Sequence, residues 1–223
     1  SPPNISCVTA PFSLASCDSP PPMIVTFETN QANQNVSLGI TGGSVSVDWG
    51  DSTQDTNTTH TYSSPGKYQA WISGADSITG LTNNWSDSLV AINTLGDISS
   101  VSTISSPFEG HSGLKYVSGY SSLQNSITSL NALFKNTTSL EYIDLSSMDF
   151  DSITDADEFL SGATKLGHVN LGNKFTSITN KNNVFSSTPI TSSNENRVLF
   201  CTKVYDENLG SSDLAQNWTV SLG

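Results

Sequence analysis

The segment Ser139–Phe159, with the sequence SLEYIDLSSMDFDSITDADEF, decides the predicted fold of this chain. It opens with a leucine followed three residues later by an apolar partner, passes through an Ile-Thr pair and closes on a phenylalanine. Its leucine belongs to a series of apolar residues spaced by roughly 24 to 26 positions, a period typical of solenoid repeats. The series consists of Leu89, Leu114, Leu140, Leu166 and Ile190. A unit of this length cannot bury its apolar face alone, so the units are predicted to stack.

Each repeat is predicted to start a strand at its leucine and then to form a short helix or helical turn on the opposite side. The leucine pairs are Leu89/Ile92, Leu114/Val117, Leu140/Ile143 and Leu166/Val169, and the closing aromatics are Phe108, Phe134, Phe159 and Phe185. Ile-Thr pairs begin at Ile127, Ile153 and Ile178. Because threonine is a good N-cap residue, each of these threonines is expected to cap a helix.

The residues before the repeats alternate between apolar and polar, which is the period of half-buried strands. Turn signals such as Gly50-Asp51-Ser52 and Ser64-Pro65-Gly66 separate them. Short strands with frequent turns predict an antiparallel β-sandwich of about 50 residues. The predicted strands are 23–29, 36–40, 44–49, 58–62 and 67–72.

The chain therefore divides into four predicted parts. Residues 1–22 form a Pro-rich N-terminal arm, because prolines exclude a central strand. Residues 23–76 form the sandwich and residues 77–189 form the repeats. Residues 190–223 break the period, with predicted strands at 196–204 and 218–222 and a short helix between them, and are expected to cap the last repeat.

The charge balance of the 223-residue chain limits its partners. The net charge is −12 and the pI is near 4.3. Nucleic acid and anionic membranes both attract clustered Lys and Arg, so neither is an expected partner. No run of about 18 apolar residues occurs, and no membrane-spanning helix is predicted. An acidic surface remains compatible with solubility, with a cation such as Ca²⁺ or with a basic partner.

The cysteines bear on the redox compartment of this chain, whereas the asparagine sequons only permit glycosylation. A disulfide between Cys7 and Cys17 is favoured, with Cys201 as a buried free thiol, although pairing with Cys201 stays open. Such a disulfide would indicate export from the cytoplasm. Asn-x-Ser/Thr sequons that permit N-glycosylation occur at Asn4, Asn35, Asn57, Asn84, Asn136 and Asn217, about as many as the Asn, Ser and Thr content gives by chance.

No residue pattern predicts catalysis. His60, His111 and His168 lack zinc-ligand spacing and are interpreted as structural or solvated. Gly110-His111-Ser112-Gly113 is interpreted as a repeat-ending turn, because Leu114 stands where a nucleophile elbow has its second glycine. Acidic residues that are weak Ca²⁺ candidates are Asp149, Asp151, Asp155, Asp157 and Glu158, with Asp48 and Asp51 as a second weak pair. A solvated helix start is the favoured interpretation of the first group.

The predicted sandwich resembles the PKD domain, an immunoglobulin-like β-sandwich of surface proteins. The residues that carry the resemblance are Val47-Asp48-Trp49-Gly50-Asp51-Ser52 and His60–Tyr68, which follow a W-G-D-G, H-x-Y and P-G-x-Y pattern. The resemblance implies that Trp49 fills the space between sheets and that Tyr62 returns its hydroxyl to the backbone. Ser52 replaces the usual glycine of the turn, where glycine tolerates positive φ more readily.

The repeats resemble the BspA-like leucine-rich repeats of bacterial, protist and phage surface proteins, most closely in Ser139–Phe159. Two positions depart from the family pattern: Ala163 stands where a cysteine is frequent, and Thr137 occupies the same place one repeat earlier. The resemblance implies a mainly β protein with short helices, in which an Ig-like (PKD) β-sandwich precedes a leucine-rich-repeat solenoid and a C-terminal cap.

Together the two resemblances imply a location on a cell or virion surface. The first functional hypothesis is an extracellular adhesion or recognition module that binds a protein or a glycan through the repeats. The second is a structural subunit of an extracellular filament or virion assembly, with the N-terminal arm making the contacts between copies. No enzyme activity and no cofactor are expected.

Overall fold

Strands make up most of the regular structure in the computed structural model, which describes residues 20–119, 127–171 and 178–189. The mainly β character predicted from the sequence is confirmed. The strands of the described residues are β1 (Met23–Thr29), β2 (Gln34–Ser37), β3 (Ile40–Thr41), β4 (Ser46–Asp48), β5 (Gln54–Asp55), β6 (Thr59–Tyr62), β7 (Gly66–Ser73), β8 (Gly80–Leu81), β9 (Leu89–Thr94), β10 (Thr103–Ile104), β11 (Tyr116–Ser118), β12 (Tyr142–Asp144) and β13 (His168–Asn170).

The largest sheet has eight strands in the order β13-β12-β11-β9-β1-β7-β4-β5. Its pairings are parallel from β9 to β13 and antiparallel from β9 through β1 and β7 to β5. Two smaller sheets, β10-β8-β3 and β2-β6, complete the described strands. One sheet therefore crosses position 76, where the sequence predicted the sandwich to end.

The N-terminal strands follow their alternating sequence. Along β1, Met23, Val25 and Phe27 are fully buried while the residues between them are half-buried. The predicted strand 36–40 divides between β2 and β3, which belong to different sheets. Gly39 lies at the division against the Trp85 indole, and a β-carbon there would come 2.3 Å from Trp85 Cδ1.

The repeat leucines are fully buried, yet only Leu89 begins a strand. The expectation is wrong for Leu114, Leu140 and Leu166, whose strands begin two residues later. The amide of every repeat leucine, Leu89 included, donates to a carbonyl three residues back, as Leu140 N does to Thr137 O at 3.0 Å. The leucine therefore closes the preceding turn before the chain extends into the sheet.

The short helices predicted on the opposite side of each repeat do not form in the described residues; turns occupy these positions. Two positions in every repeat have positive φ, which a right-handed helix excludes. One series is Ser106, Ala132, Glu158 and Asn183, and the other is Gly110, Asn136, Gly162 and Ser187. At five of these eight positions the amide donates to a carbonyl of the next repeat, as Ala132 N does to Asp157 O at 2.9 Å.

The threonines expected to cap helices instead connect successive repeats. Thr154 Oγ1 donates to Thr128 O at 3.3 Å, and Thr179 Oγ1 donates to Thr154 O at 3.1 Å. A three-residue 3₁₀ turn at Ala75–Ser77 is the one named helix of the described ranges. Those ranges accordingly contain no helix long and apolar enough to cross a membrane.

The hydrophobic core contains a row of four aromatic rings in contact. Trp85, Phe108, Phe134 and Phe159 follow one another with ring centroids 5.3 to 5.7 Å apart. Three of these are the phenylalanines that close successive repeats, so the repeat period sets the ring spacing. The closing aromatics expected from the sequence therefore form a continuous apolar column that packs successive repeats together.

The termini lie largely outside the described residues. Residues 1–19 of the arm and the whole predicted cap, 190–223, are among these. Pro21 is described, and its carbonyl accepts a hydrogen bond from Asp97 N at 3.0 Å.

Candidate recognition surface on the outer face of the sheet

One row of side chains crosses six strands on the outer face of the eight-stranded sheet. Strand register pairs Gln69 with Thr26, Thr26 with Ala91, and Ala91 with Tyr116. Tyr116 pairs with Tyr142, which pairs with His168. The outer row is defined here as Gln69, Thr26, Ala91, Tyr116, Tyr142 and His168. None of its members carries a fixed charge, and none is fully buried.

Three rings stack within the outer row. Tyr116 and Tyr142 have ring centroids 4.6 Å apart with an 8° interplanar angle, and Tyr142 and His168 are 4.3 Å apart at 4°. Parallel strands in register are about 4.8 Å apart, which places equivalent side chains at stacking distance. Tyr116 is 38% exposed and is the one exposed large hydrophobic residue of the described ranges. The stack therefore ends in an accessible ring.

A polar column runs beside the rings, two residues further along β11, β12 and β13. Asn170 Nδ2 donates to Asp144 Oδ2 at 3.2 Å, and the Ser146 hydroxyl donates to Asp144 Oδ1 at 2.6 Å. Burial acts to raise the pKa of Asp144, but hydrogen bonds from Ser146 and Asn170 outweigh it and lower that pKa below its ordinary value. The carboxylate thus stays ionised beside the rings. Burial and the Asp144 charge raise the pKa of the Tyr142 phenol.

A second polar column, Ser129, Asp155 and Asn180, connects the repeats away from the outer row. Isolated β-bridges join Ser129 to Asp155 and Asp155 to Asn180. Ser129 Oγ donates to Asp155 Oδ2 at 2.8 Å, and Asn180 Nδ2 donates to Asp155 Oδ1 at 2.8 Å. The amide of Asp157 also donates to Asp155 Oδ1, at 3.1 Å. Asp155 therefore accepts hydrogen bonds from the two repeats that flank its own.

The other weak Ca²⁺ candidates of the repeats serve separate contacts. Glu158 forms an ion pair with Lys135. Asp151 is exposed, and its amide donates to Asp149 Oδ1 at 3.0 Å. Asp157 Oδ1 is buried without a hydrogen-bond partner. Within the described ranges, no group of three or more His, Cys, Asp or Glu side chains is placed to hold a metal ion.

The second weak Ca²⁺ pair lies in the turn after β4. Asp51 Oδ2 lies 2.8 Å from His60 Nε2, and Asp51 Oδ1 accepts from the Thr53 amide at 3.1 Å. Burial acts to raise the pKa of Asp51. The hydrogen bonds from Thr53 and His60 act in the opposite direction and outweigh burial, so this pKa lies below its ordinary value. Asp48 Oδ1 accepts from the Gly50 amide at 3.0 Å. Both carboxylates therefore stabilise the turn.

The aromatic residues of the same turn form a buried cluster. His60 stacks on Trp49 with centroids 4.9 Å apart. The expected return of the Tyr62 hydroxyl to the backbone is confirmed, since it donates to Trp49 O at 2.8 Å. Ser52 has φ 73°, the left-handed conformation for which glycine is suited.

His111 lies in the expected repeat-ending turn and is buried, at 6% exposure. His111 Nε2 lies 2.8 Å from Ser86 O, so Nε2 carries the proton that is donated to this carbonyl. Burial lowers the pKa of His111, and the imidazole is neutral near pH 7. The contact joins the first repeat to the segment before β9.

The sequons and cysteines are only partly described. Asn35, Asn57, Asn84 and Asn136 are all exposed. Asn136 has φ 58°, and a β-carbon on Gly162 would lie 2.4 Å from its Oδ1. Asn4, Asn217, Cys7, Cys17 and Cys201 lie outside the described residues.

The outer row was not predicted from the sequence. Tyr116, Tyr142 and His168 each stand two residues after a repeat leucine, and this recurrence was the available signal. Ala91 holds the same place after Leu89, whereas Thr26 joins the row only through strand pairing. No family model matches this chain, and comparisons with curated proteins and with solved structures find no match.

Proposed function

We propose that this chain is an extracellular recognition or adhesion module that binds a protein or a glycan on another surface through the outer face of its eight-stranded sheet. In this proposal, residues 23–76 are a PKD-like sandwich and residues 77–189 are BspA-like leucine-rich repeats. The sandwich and the repeats share the sheet and therefore present one binding surface.

The outer row is the observation that carries the proposal. Aromatic residues are enriched at interfaces because they contribute large contact areas at small conformational cost. The stacked rings of Tyr116, Tyr142 and His168 are held before a ligand arrives. Polar groups of Asp144 and Asn170 beside them add hydrogen-bonding specificity.

A structural subunit is the alternative, and the strand edges bear on it. The outermost strands of the large sheet in the described residues are β5, with two residues, and β13, with three. Such short edges offer few backbone groups for pairing between copies. The edges thus favour recognition, although the N-terminal arm could still carry assembly contacts.

The test is binding of the full chain to arrays of glycans and extracellular-matrix proteins and to intact cells. We expect saturable binding that Tyr142→Ala weakens about tenfold or more, since the middle ring of the stack is removed. Ser186→Ala is the matched control, because Ser186 is exposed in the turns away from the sheet. Absence of binding together with ordered polymers in light scattering and electron microscopy would replace recognition with the structural alternative.

A further inference from the structure

The ring stack of the outer row ends at a gap. Tyr116 has Tyr142 on one face, but its neighbour on the other side is Ala91. A methyl group cannot cover a phenol ring, which agrees with the exposure of Tyr116. The next strand adds Thr26, which is also small. A slot therefore lies above Ala91 and Thr26, and the free face of the Tyr116 ring forms one wall.

The size of the slot follows from the strand spacing. Each step across the sheet is about 4.8 Å, so the place above Ala91 is one ring thickness wide. A six-membered ring in that place would continue the stack at about the spacing that Tyr116 and Tyr142 already have, 4.6 Å. The slot is thus wide enough for a single six-membered ring.

Hydrogen-bonding groups surround the slot. Thr26 Oγ1 donates to Asn93 Oδ1 at 2.7 Å, which fixes the Asn93 amide with its nitrogen unbonded among the described residues. On the far side, Gln69 Oε1 accepts from Trp71 Nε1 at 3.2 Å, so Gln69 Nε2 is the group left to donate. Thr26 Oγ1 retains lone pairs that can accept. The guest must therefore offer polar groups around its edge.

Charged groups close one end of the slot and stay outside it. Glu28 lies on the same face of β1, with Lys67 at 3.6 Å and Lys115 at 3.7 Å. One carboxylate between two ammonium groups leaves this cluster with one positive charge outside the row, and the outer row itself has no fixed charge. A neutral guest matches this arrangement, because an ionic one would find no counter-charge within the row.

We propose that the slot above Ala91 binds one pyranose ring of a neutral glycan, stacked on the free face of Tyr116. The apolar C–H face of a pyranose carries partial positive charge that matches the negative face of an aromatic ring. Its edge hydroxyls are donors and acceptors that suit Asn93, Gln69 and Thr26. An aromatic side chain of a protein partner would fill the slot but leave these groups unpaired. The inference rests on the proposed recognition function and gives its ligand a chemical class.

Two strand irregularities support a specialised site here. The register between β1 and β9 shifts between Ile24 and Val25 and again between Thr26 and Phe27. β-bulges redirect side chains and recur next to functional sites. They flank Thr26, so Ala91 and Asn93 both reach the outer face beside it.

The experiment uses the full chain on an array of neutral oligosaccharides, followed by saturation-transfer difference NMR with cellobiose, lactose, maltose and di-N-acetylchitobiose. We expect saccharide binding that Tyr116→Ala weakens about tenfold or more and that Tyr116→Phe retains, since the ring face is what is used. Ala91→Leu should weaken binding as strongly by filling the slot, whereas Ala91→Ser should not. Ser186→Ala, in the turns away from the sheet, should change affinity less than about twofold. Thermal unfolding of each variant shows that the fold is kept.

Binding that is unaffected by Tyr116→Ala and Ala91→Leu in folded protein overturns the inference. Absence of binding to any neutral saccharide, while the chain still binds matrix proteins or cells through the outer row, also overturns it and leaves the proposed function in place. Absence of all binding in both assays rejects the two together.

Discussion

Substitution of Asp155 tests whether the polar columns hold the repeats together. Its carboxylate accepts three hydrogen bonds, from Ser129 Oγ, Asn180 Nδ2 and the Asp157 amide, at 2.8, 2.8 and 3.1 Å. Asp155→Ala removes both acceptor oxygens, and with them all three bonds, and leaves donors of the two neighbouring repeats unpaired. Each bond to a charged group is worth about 1.5–3 kcal/mol when buried, and a neutral one about 0.5–1.5 kcal/mol. Because the site is only half-buried, we expect a total loss of about 2–4 kcal/mol.

The assay is urea unfolding followed by circular dichroism, with differential scanning calorimetry beside it. A loss of this size should lower the Tm by about 5–15 °C for a domain of this length. Asp155→Asn is the matched control, because an amide oxygen can still accept from Asn180 and from the Asp157 amide. The Ser129 hydroxyl can rotate to accept from the new amide nitrogen. We expect Asp155→Asn to cost less than about 1 kcal/mol.

Two results would refute the reasoning on Asp155. Unfolding of Asp155→Ala within about 0.5 kcal/mol of the wild type would mean that water replaces the column at no cost. Equal losses for Asp155→Ala and Asp155→Asn would mean that the negative charge matters and the hydrogen bonds do not.

Three further substitutions test backbone conformation and burial. Ser52 has φ 73°, and a left-handed conformation costs a residue other than glycine about 1–2 kcal/mol. Ser52→Gly removes this cost, but the greater freedom of glycine in the unfolded chain offsets part of the gain. We therefore expect the fold to be stabilised by up to about 1 kcal/mol in urea unfolding. Gly162→Ala should destabilise by about 1–3 kcal/mol in the same assay, since φ is 76° and the new β-carbon would lie 2.4 Å from Asn136 Oδ1; no change would show that the turn relaxes freely. Burial lowers the pKa of His111 in the folded chain. As the pH drops below about 6.5, the imidazole of the unfolded chain binds a proton before that of the folded chain does, so the stability of the fold should decrease. His111→Gln should flatten this dependence by up to about 1.4 kcal/mol per pH unit, and an unchanged slope would assign it to other groups.

Strand positions could be predicted because period-two alternation records burial directly. Met23, Val25 and Phe27 are apolar at alternate positions and face the core, so β1 was predicted with its observed bounds. The repeat period was equally readable, because each closing phenylalanine must reach the ring of the next repeat. Burial of this kind can be read directly from the spacing of apolar residues in the sequence.

The conformation of the turns is much harder to read from the sequence than the burial of the strands. Apolar residues three or four apart in Ile153–Phe159 suggest a helix, yet Glu158 has φ 54° and its amide donates to Asn182 O at 2.9 Å. The bond to the next repeat outweighs the left-handed cost for a residue that is not glycine. Glycine and asparagine signal positive φ at Gly110, Asn136, Gly162 and Asn183, but the serine, alanine and glutamate positions of the two series carry no such signal. A helix was therefore the natural but wrong prediction.

The candidate site could not be predicted for a different reason: β9 lies between a parallel neighbour and an antiparallel one. It pairs in parallel with β11 and antiparallel with β1, so residues far apart in sequence become neighbours in the outer row. The N-terminal strands cover the open edge of β9 by extending the same sheet. Two register shifts, between Ile24 and Val25 and between Thr26 and Phe27, lie at this change from parallel to antiparallel pairing.

The same junction explains why the ring stack stops where it does. A ring at position 91 would continue the stack onto the side chains of β1, where the bulged register brings Asn93 against Thr26 at 2.7 Å. Ala91 leaves this place open and exposes the face of Tyr116. Exposed aromatic surface lowers solubility and adds nothing to folding, so a sequence selected for stability alone would fill the gap. Under the proposed recognition function the gap is kept for the ligand, so Ala91→Leu is expected to stabilise the fold while it weakens binding about tenfold or more.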